Sequence, residues 1–271
     1  MSSTHSTHPR YSGTIVPLIT PLNEDQSVDG ASVSRLIEHV RGEVTALMPA
    51  LTSGEGWKLD ERQWTDVVTH TVRHSGGLPV LAGIQLPETA QVVARALRAA
   101  ELGVDAVVVT TPFGDDVTQD GIVEHYRALR AATDVPIFLY NEEALSGNRI
   151  EYDTLLTLCR IPGIVGIKES SGDAAFTRKT AEAATGVPVF EGWENLISAA
   201  TGIDGFIGPL ANLEPALCNA ILVDPTRERQ AEVDATCEKY GVFKDDWYRW
   251  VKKELHHRGI ISTPEVHEAL R

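Results

Sequence analysis

The chain has 271 residues, 42% of them hydrophobic, and a formal net charge of −14 at pH 7. That length suits one large α/β barrel or two small domains, with ample apolar material for a core. The acidic balance argues against nucleic acid or an anionic membrane as partner, and no apolar run approaches a membrane span. Residues 1–12 lack an apolar signal-peptide core and read as a disordered lead-in, so a soluble, cytoplasmic protein is expected. Cys159, Cys218 and Cys237 form neither a disulfide framework nor a metal spacing.

In chain order, a first strand is expected over 14–20, stopped by Pro21. Val33, Leu36, Ile37 and Val40 then share one face of a helix over 31–41. A second strand over 44–51 ends irregularly at Pro49, and a glycine turn at 52–56 leads to a helix over 60–74. Strand three is 79–84, and Pro87 is well placed to open a helix over 87–102. Strand four (104–110), a helix (119–132), strand five (136–140) and a helix near 151–159 follow. Strand six surrounds Lys168, and a helix over 173–184, strand seven (187–191), a helix over 194–201 and strand eight (205–208) complete the count. Eight short apolar strands alternating with helices predict a closed (β/α)8 TIM barrel over 13–210, with its active site at the C-terminal strand ends. An open doubly wound sheet is the alternative, but no glycine-rich dinucleotide turn follows strand one. Residues 211–271 read as a C-terminal helical extension, with helices over 213–223, 226–240, 243–258 and a short one near 264–270. Its aromatics, Tyr240, Phe243, Trp247, Tyr248 and Trp250, read as packing of the tail on the barrel rather than as a ligand-stacking patch.

The barrel topology brings three segments to one rim. Lys168 ends an apolar strand, where burial disfavours the ammonium and leaves an amine able to attack a carbonyl. Tyr140 ends strand five and can carry a proton. Thr52, Ser53 and Gly54 form a turn whose consecutive amides make a concavity for a carboxylate. An amine, a proton carrier and a carboxylate cradle are what imine chemistry on a 2-oxo acid requires.

At this point the sequence resembles the pyruvate-dependent class I aldolases that include dihydrodipicolinate synthase and N-acetylneuraminate lyase. The likeness covers roughly residues 12–215 and rests on the turn Thr52-Ser53-Gly54-Glu55, on Tyr140-Asn141, and on the run from Gly166 to Asp173 around Lys168. The resemblance implies that Lys168 forms a Schiff base with pyruvate or a larger 2-oxo acid, with no separate cofactor. It implies that Tyr140 relays protons, that Thr52 links to Tyr140, that Thr52 and Ser53 hold the substrate carboxylate, and that Ile207 lines the pyruvate site. It also implies a homo-oligomer, a tetramer or dimer.

The departures are as informative. Leu51 stands where the family turn opens with Gly. After strand four the chain reads Pro112-Phe113-Gly114, so the second relay tyrosine, which many members supply across a dimer interface, is replaced by Gly114. After Tyr140-Asn141 come Glu142, Glu143, Ala144 and Leu145, so the arginine that grips a second carboxylate in dihydrodipicolinate synthases is replaced by Leu145. Dihydrodipicolinate synthase activity itself is therefore disfavoured. Glu142, Glu143, Asp115 and Asp116 would put four carboxylates near one mouth and favour a substrate whose far end bears an amine or guanidinium. The expected activity is an aldolase, lyase or synthase, joining or releasing pyruvate and an aldehyde. The alternatives are a Schiff-base dehydratase of a deoxy-oxo sugar acid, with or without decarboxylation, and a non-catalytic 2-oxo-acid binder.

The remaining polar residues read as structural. Glu55 is expected to bond loop amides, Glu169 to face away from Lys168, and Asn212 to cap the first tail helix. His70 and His74 read as a wet helix face rather than a metal pair, as do His256, His257 and His267. No metal is expected.

Overall fold

The computed structural model describes residues 11–183 and 185–270, so all but the last two residues of the lead-in expected at 1–12 lie outside the described residues. Eight strands are present: β1 (Gly13–Val16), β2 (Ala46–Leu47), β3 (Leu81–Ile84), β4 (Ala106–Thr110), β5 (Ile137–Asn141), β6 (Ile164–Glu169), β7 (Val189–Glu191) and β8 (Gly205–Phe206). All neighbours pair in parallel, in the order β2-β1-β8-β7-β6-β5-β4-β3. A parallel bridge between Leu47 and Val80, just ahead of β3, brings the two ends together. The result is a (β/α)8 TIM barrel.

Helices α1 (Gly30–Val40), α2 (Glu61–His74), α3 (Thr89–Leu102), α4 (Gln119–Ala132), α5 (Glu143–Ser146), α6 (Tyr152–Leu158) and α7 (Ala174–Glu182) run between the strands. Side chains placed just ahead of the first helical turn start several of them. Asp29 accepts from the amides of Ala31 and Ser32, Asp60 and Gln63 form a reciprocal box, and Asp173 accepts from Ala175 and Phe176. The barrel interior is filled by inward residues such as Ile15, Leu81, Val108, Phe138 and Phe190, while a second, larger layer lies between strands and helices. Buried polar tips tie the layers together. Trp64 Nε1 donates to the Gly83 carbonyl at 2.8 Å, and the Tyr126 hydroxyl donates to the Val109 carbonyl at 2.7 Å.

Some elements depart from expectation. The helix expected over 194–201 is only a 3-10 turn at Glu194–Leu196, which has no side-chain cap to extend it. The expected loop after Asn141 contains α5, started by the Glu142 carboxylate on the Leu145 amide. Asn212 does not cap a tail helix. Its Nδ2 donates to the carbonyls of Pro17 and Pro209 while its Oδ1 accepts from the Ile19 amide. It thus staples the segment after β1 to the turn after β8.

The tail forms α8 (Pro215–Val223), α9 (Arg227–Tyr240) and α10 (Trp247–His257), and one buried charge pair docks it. Glu55, next to the 52–54 turn, pairs with Lys252 of α10, both fully buried. Glu55 Oε2 also accepts the His267 amide at 2.6 Å, and Lys252 Nζ donates to the Glu265 carbonyl at 2.8 Å. The loop amides expected to hold Glu55 are thus replaced by the tail. His70 and His74 stack 6.4 Å apart on α2, and among the described residues no group of three or more His, Cys, Asp or Glu is placed to hold a metal. No helix among them is long and apolar enough to cross a membrane.

Removing one partner of the pair strands the other charge in the core. Lys252→Met should therefore destabilise the chain by about 3–5 kcal/mol. Combining it with Glu55→Gln should restore most of that loss, measured as the midpoint of urea unfolding. An unchanged midpoint in the single variant would show that the pair does not anchor the tail.

Candidate active site

Strand register assembles the site. Lys168 on β6 lies in register with Tyr140 on β5 and Phe190 on β7, so the three side chains emerge on the barrel's inner face near its C-terminal end. Lys168 is 4% exposed, and its Nζ sits 4.1 Å from the centre of the Tyr140 ring. Glu169, one residue on, faces outward as expected and is held by Asn141 Nδ2 and the Ser171 amide, each at 2.7 Å.

Burial pulls the Lys168 amine down from 10.5 to about 8, against the opposing charges of Glu142, Glu194 and Glu191. Burial raises Glu191 and Glu194 to about 7 and raises Glu142 as well. The Tyr140 phenol is pushed well above its ordinary range, first by burial and then by Glu142, so it is a neutral O–H at physiological pH.

The Tyr140 hydroxyl and Thr52 Oγ1 are hydrogen-bonded at 3.1 Å, and Thr52 Oγ1 accepts from Gln85 Nε2 at 2.8 Å. Gln85 follows β3, and sequence reasoning missed it because nothing in its local pattern marks it. The 52–54 turn itself is a 3-10 turn whose first amides, Thr52 and Ser53, have no acceptor within the turn. Backbone crowding shapes it. A Cβ at Gly56 would lie 1.8 Å from the Ala50 carbonyl oxygen, so only glycine lets the chain fold back there.

Thr52, Ser53, Tyr140, Lys168 and Glu142 line one cavity of about 360 Å3. Other residues named from the sequence fall outside it. Gly54 is buried against the segment after β1, its carbonyl accepting from Thr20 Oγ1 at 2.7 Å. Ile207 packs in the barrel interior with Tyr140 and Phe190, and is not part of the cavity wall. Glu143, Asp115 and Asp116 are exposed and do not line it, so three of the four carboxylates expected at the mouth are elsewhere. Leu145 is half-buried, and Ala144 takes the wall position beside it. Gly114 has φ 136°, a conformation side chains resist, and its amide donates to the Ser146 carbonyl at 2.8 Å. A tyrosine there would strain the backbone.

The wall also contains residues not anticipated: Glu194 and Trp193 after β7, and Phe243, Lys244, Asp245 and Trp247 from the tail. The tail aromatics Phe243 and Trp247 thus border the cavity rather than only packing the tail on the barrel. They are far from the strand ends in sequence, and only the docking of α9 and α10 brings them in.

From residue 10 to residue 268 the sequence matches the Dihydrodipicolinate synthetase family. The chain belongs to this family. It is 34% identical over 264 residues to an uncharacterised DapA-like lyase of Halobacterium salinarum, covering 93% of this chain and 86% of that one. It is 33% identical over 267 residues to a 4-hydroxy-tetrahydrodipicolinate synthase of Exiguobacterium sibiricum, covering 94% and 91%. Dihydrodipicolinate synthase of Acinetobacter baumannii, solved with pyruvate, superposes with a TM-score of 0.84 at 27% identity over 96% of this chain and 95% of that one. The chain is accordingly an enzyme, a lyase of the class I pyruvate-dependent aldolase type.

Gln85 holds the Thr52 hydroxyl and does not itself line the cavity, the placing of a positioning residue. Gln85→Leu should lower kcat about tenfold, the scale of one lost hydrogen bond, with the KM for pyruvate nearly unchanged. Gln85→Asn should recover part of the loss. A rise in KM at constant kcat would show that Gln85 serves binding instead.

Proposed function

We propose that the enzyme is a Schiff-base aldolase in which Lys168 is the nucleophile. The observation that carries this reading is the buried amine at about 8, set 4.1 Å from the ring centre of a neutral Tyr140. The neutral amine adds to the C2 carbonyl of pyruvate, or of a larger 4-hydroxy-2-oxo acid, and the adduct loses water to give an imine. Tyr140 carries the protons of those steps, with Thr52 holding its hydroxyl. The Thr52 and Ser53 amides, which have no acceptor within their turn, receive the substrate carboxylate. In the synthetic direction a proton leaves C3, the enamine forms a new C–C bond to the aldehyde carbon, and the aldehyde oxygen takes up a proton. Hydrolysis of the product imine then frees Lys168. Cleavage runs through the same steps reversed, with no cofactor beyond the lysine. Assembly into a tetramer or dimer and a cytoplasmic location belong to the same reading.

The dehydratase alternative shares the imine and is separated from the aldolase by product analysis. Release of pyruvate and an aldehyde identifies the aldolase, whereas loss of water or carbon dioxide identifies the dehydratase. Of the four carboxylates expected to favour a cationic far end only Glu142 lines the cavity; Glu194 and Asp245 add negative charge there, and Lys244 in the same wall opposes it.

Borohydride reduction in the presence of pyruvate, followed by mass spectrometry, should attach the three-carbon acid to Lys168. Lys168→Ala should abolish the adduct. Modification at any other residue would remove the basis of the mechanism. Below pH 8 the trapping rate should rise about tenfold per pH unit and then level off, because only the unprotonated amine attacks. A rate independent of pH between 6 and 9 would be inconsistent with an amine titrating near about 8.

A further inference from the structure

We infer that the aldehyde handled by this enzyme carries an aromatic ring, held between Trp193 and the tail. This rests on the imine reading above and names the substrate class of that site. Few large apolar side chains stand open among the described residues, and the two aromatic ones, Trp193 at 43% and Phe243 at 36%, both line the cavity that holds Lys168. Both border the space where the non-reacting part of a substrate must lie.

The ring of Trp193 is not free to fold away. Its indole N–H donates to the Ser170 carbonyl at 2.9 Å, two residues beyond the reactive lysine, which fixes the ring beside the reacting end. Trp247, Val242 and Pro209 line the same cavity. Three of the charged groups in the wall already have partners, while Ser170 Oγ is buried without a hydrogen-bond partner. Glu142 accepts from the Leu145 amide, Glu194 from the Leu210 amide, and the Lys244 ammonium lies 3.5 Å over the Trp250 ring. The cavity, about 360 Å3, falls within the range of sites for whole small molecules, roughly 300–1,000 Å3, and exceeds what a three-carbon acid needs. The aromatic part of the wall, Trp193, Phe243 and Trp247, suits a flat ring better than a chain of hydroxyls, each of which would need a partner.

The test uses the full chain with saturating pyruvate and compares benzaldehyde, glyceraldehyde and 3-aminopropanal as acceptors, with adducts quantified by chromatography. Benzaldehyde should show a kcat/KM at least about tenfold above either of the others. Trp193→Ala should reduce the benzaldehyde value about tenfold, the scale of one lost aromatic stack, and reduce the glyceraldehyde value far less. Trp193→Phe should restore most of the benzaldehyde activity, and thermal melting checks that each variant is folded. A preference for glyceraldehyde or 3-aminopropanal, no preference, or an equal loss for all aldehydes in Trp193→Ala would overturn the inference. Borohydride trapping of pyruvate by the unsubstituted enzyme separates the two failures. Trapping without an aromatic preference sinks only this inference, whereas absence of trapping sinks the functional reading and this one with it.

Discussion

The site depends on the desolvation of one amine. Lys168 is nearly inaccessible, and burial lowers its affinity for a proton despite three nearby glutamates. A shift from 10.5 to about 8 corresponds to roughly 3 kcal/mol of penalty on the ammonium. The same burial lifts Glu191 and Glu194 to about 7. The charges of these glutamates favour the ammonium, and burial of the amine outweighs them. Other contacts of the cluster keep its geometry fixed: Thr177 donates to Glu191 at 2.9 Å, and the Leu210 amide donates to Glu194 at 3.0 Å.

That dryness is supplied partly by the tail. The segment between α9 and α10 closes one side of the cavity, and Lys252 of α10 reaches the carboxylate adjoining the 52–54 turn. Packing of the last helices is thereby linked to the geometry of the proposed carboxylate cradle. A fully buried ion pair is weak evidence for added stability, because desolvation offsets most of its attraction. Its value here is positional: only one docking of α10 leaves neither charge unpaired.

What the sequence made legible follows from period and topology. Alternation of apolar strands with amphipathic helices predicts the barrel, and strand ends must share a rim. Lys168, Tyr140, Thr52 and Ser53 could therefore be brought together without coordinates. Residues that reach the same space from outside this repeat were not legible. Gln85 and Trp193 lie just past strand ends in stretches with no distinguishing pattern, and Phe243 and Trp247 arrive through tail docking. Glu142 was placed correctly, but Glu143, Asp115 and Asp116 were not. Proximity along a loop does not fix which way a side chain points, and α5 turns Glu143 outward. Asn212 was misread because a short polar residue near a helix start looks the same whether it caps that helix or bridges two loops.

The break from the family pattern after β4 has a structural consequence. Gly114 adopts a backbone conformation that a tyrosine would resist, and Asn148 Nδ2 pins the loop through the carbonyls of Pro112 and Gly114 at 2.7 and 2.8 Å. An identical subunit would carry the same glycine, so self-association cannot supply a relay tyrosine from that position. The hydrogen-bonded line instead runs from Tyr140 to Thr52 and on to the amide of Gln85. A carboxamide orients a hydroxyl but does not shuttle protons at neutral pH. With Gln85 donating to Thr52 Oγ1, the threonine's own proton is free to point at the phenol oxygen. The line then holds Tyr140 in place rather than conducting charge away from it. Any relay from Tyr140 is thus built from groups of one barrel, with Glu142 and Glu194 the other titratable side chains beside Lys168 in the cavity wall.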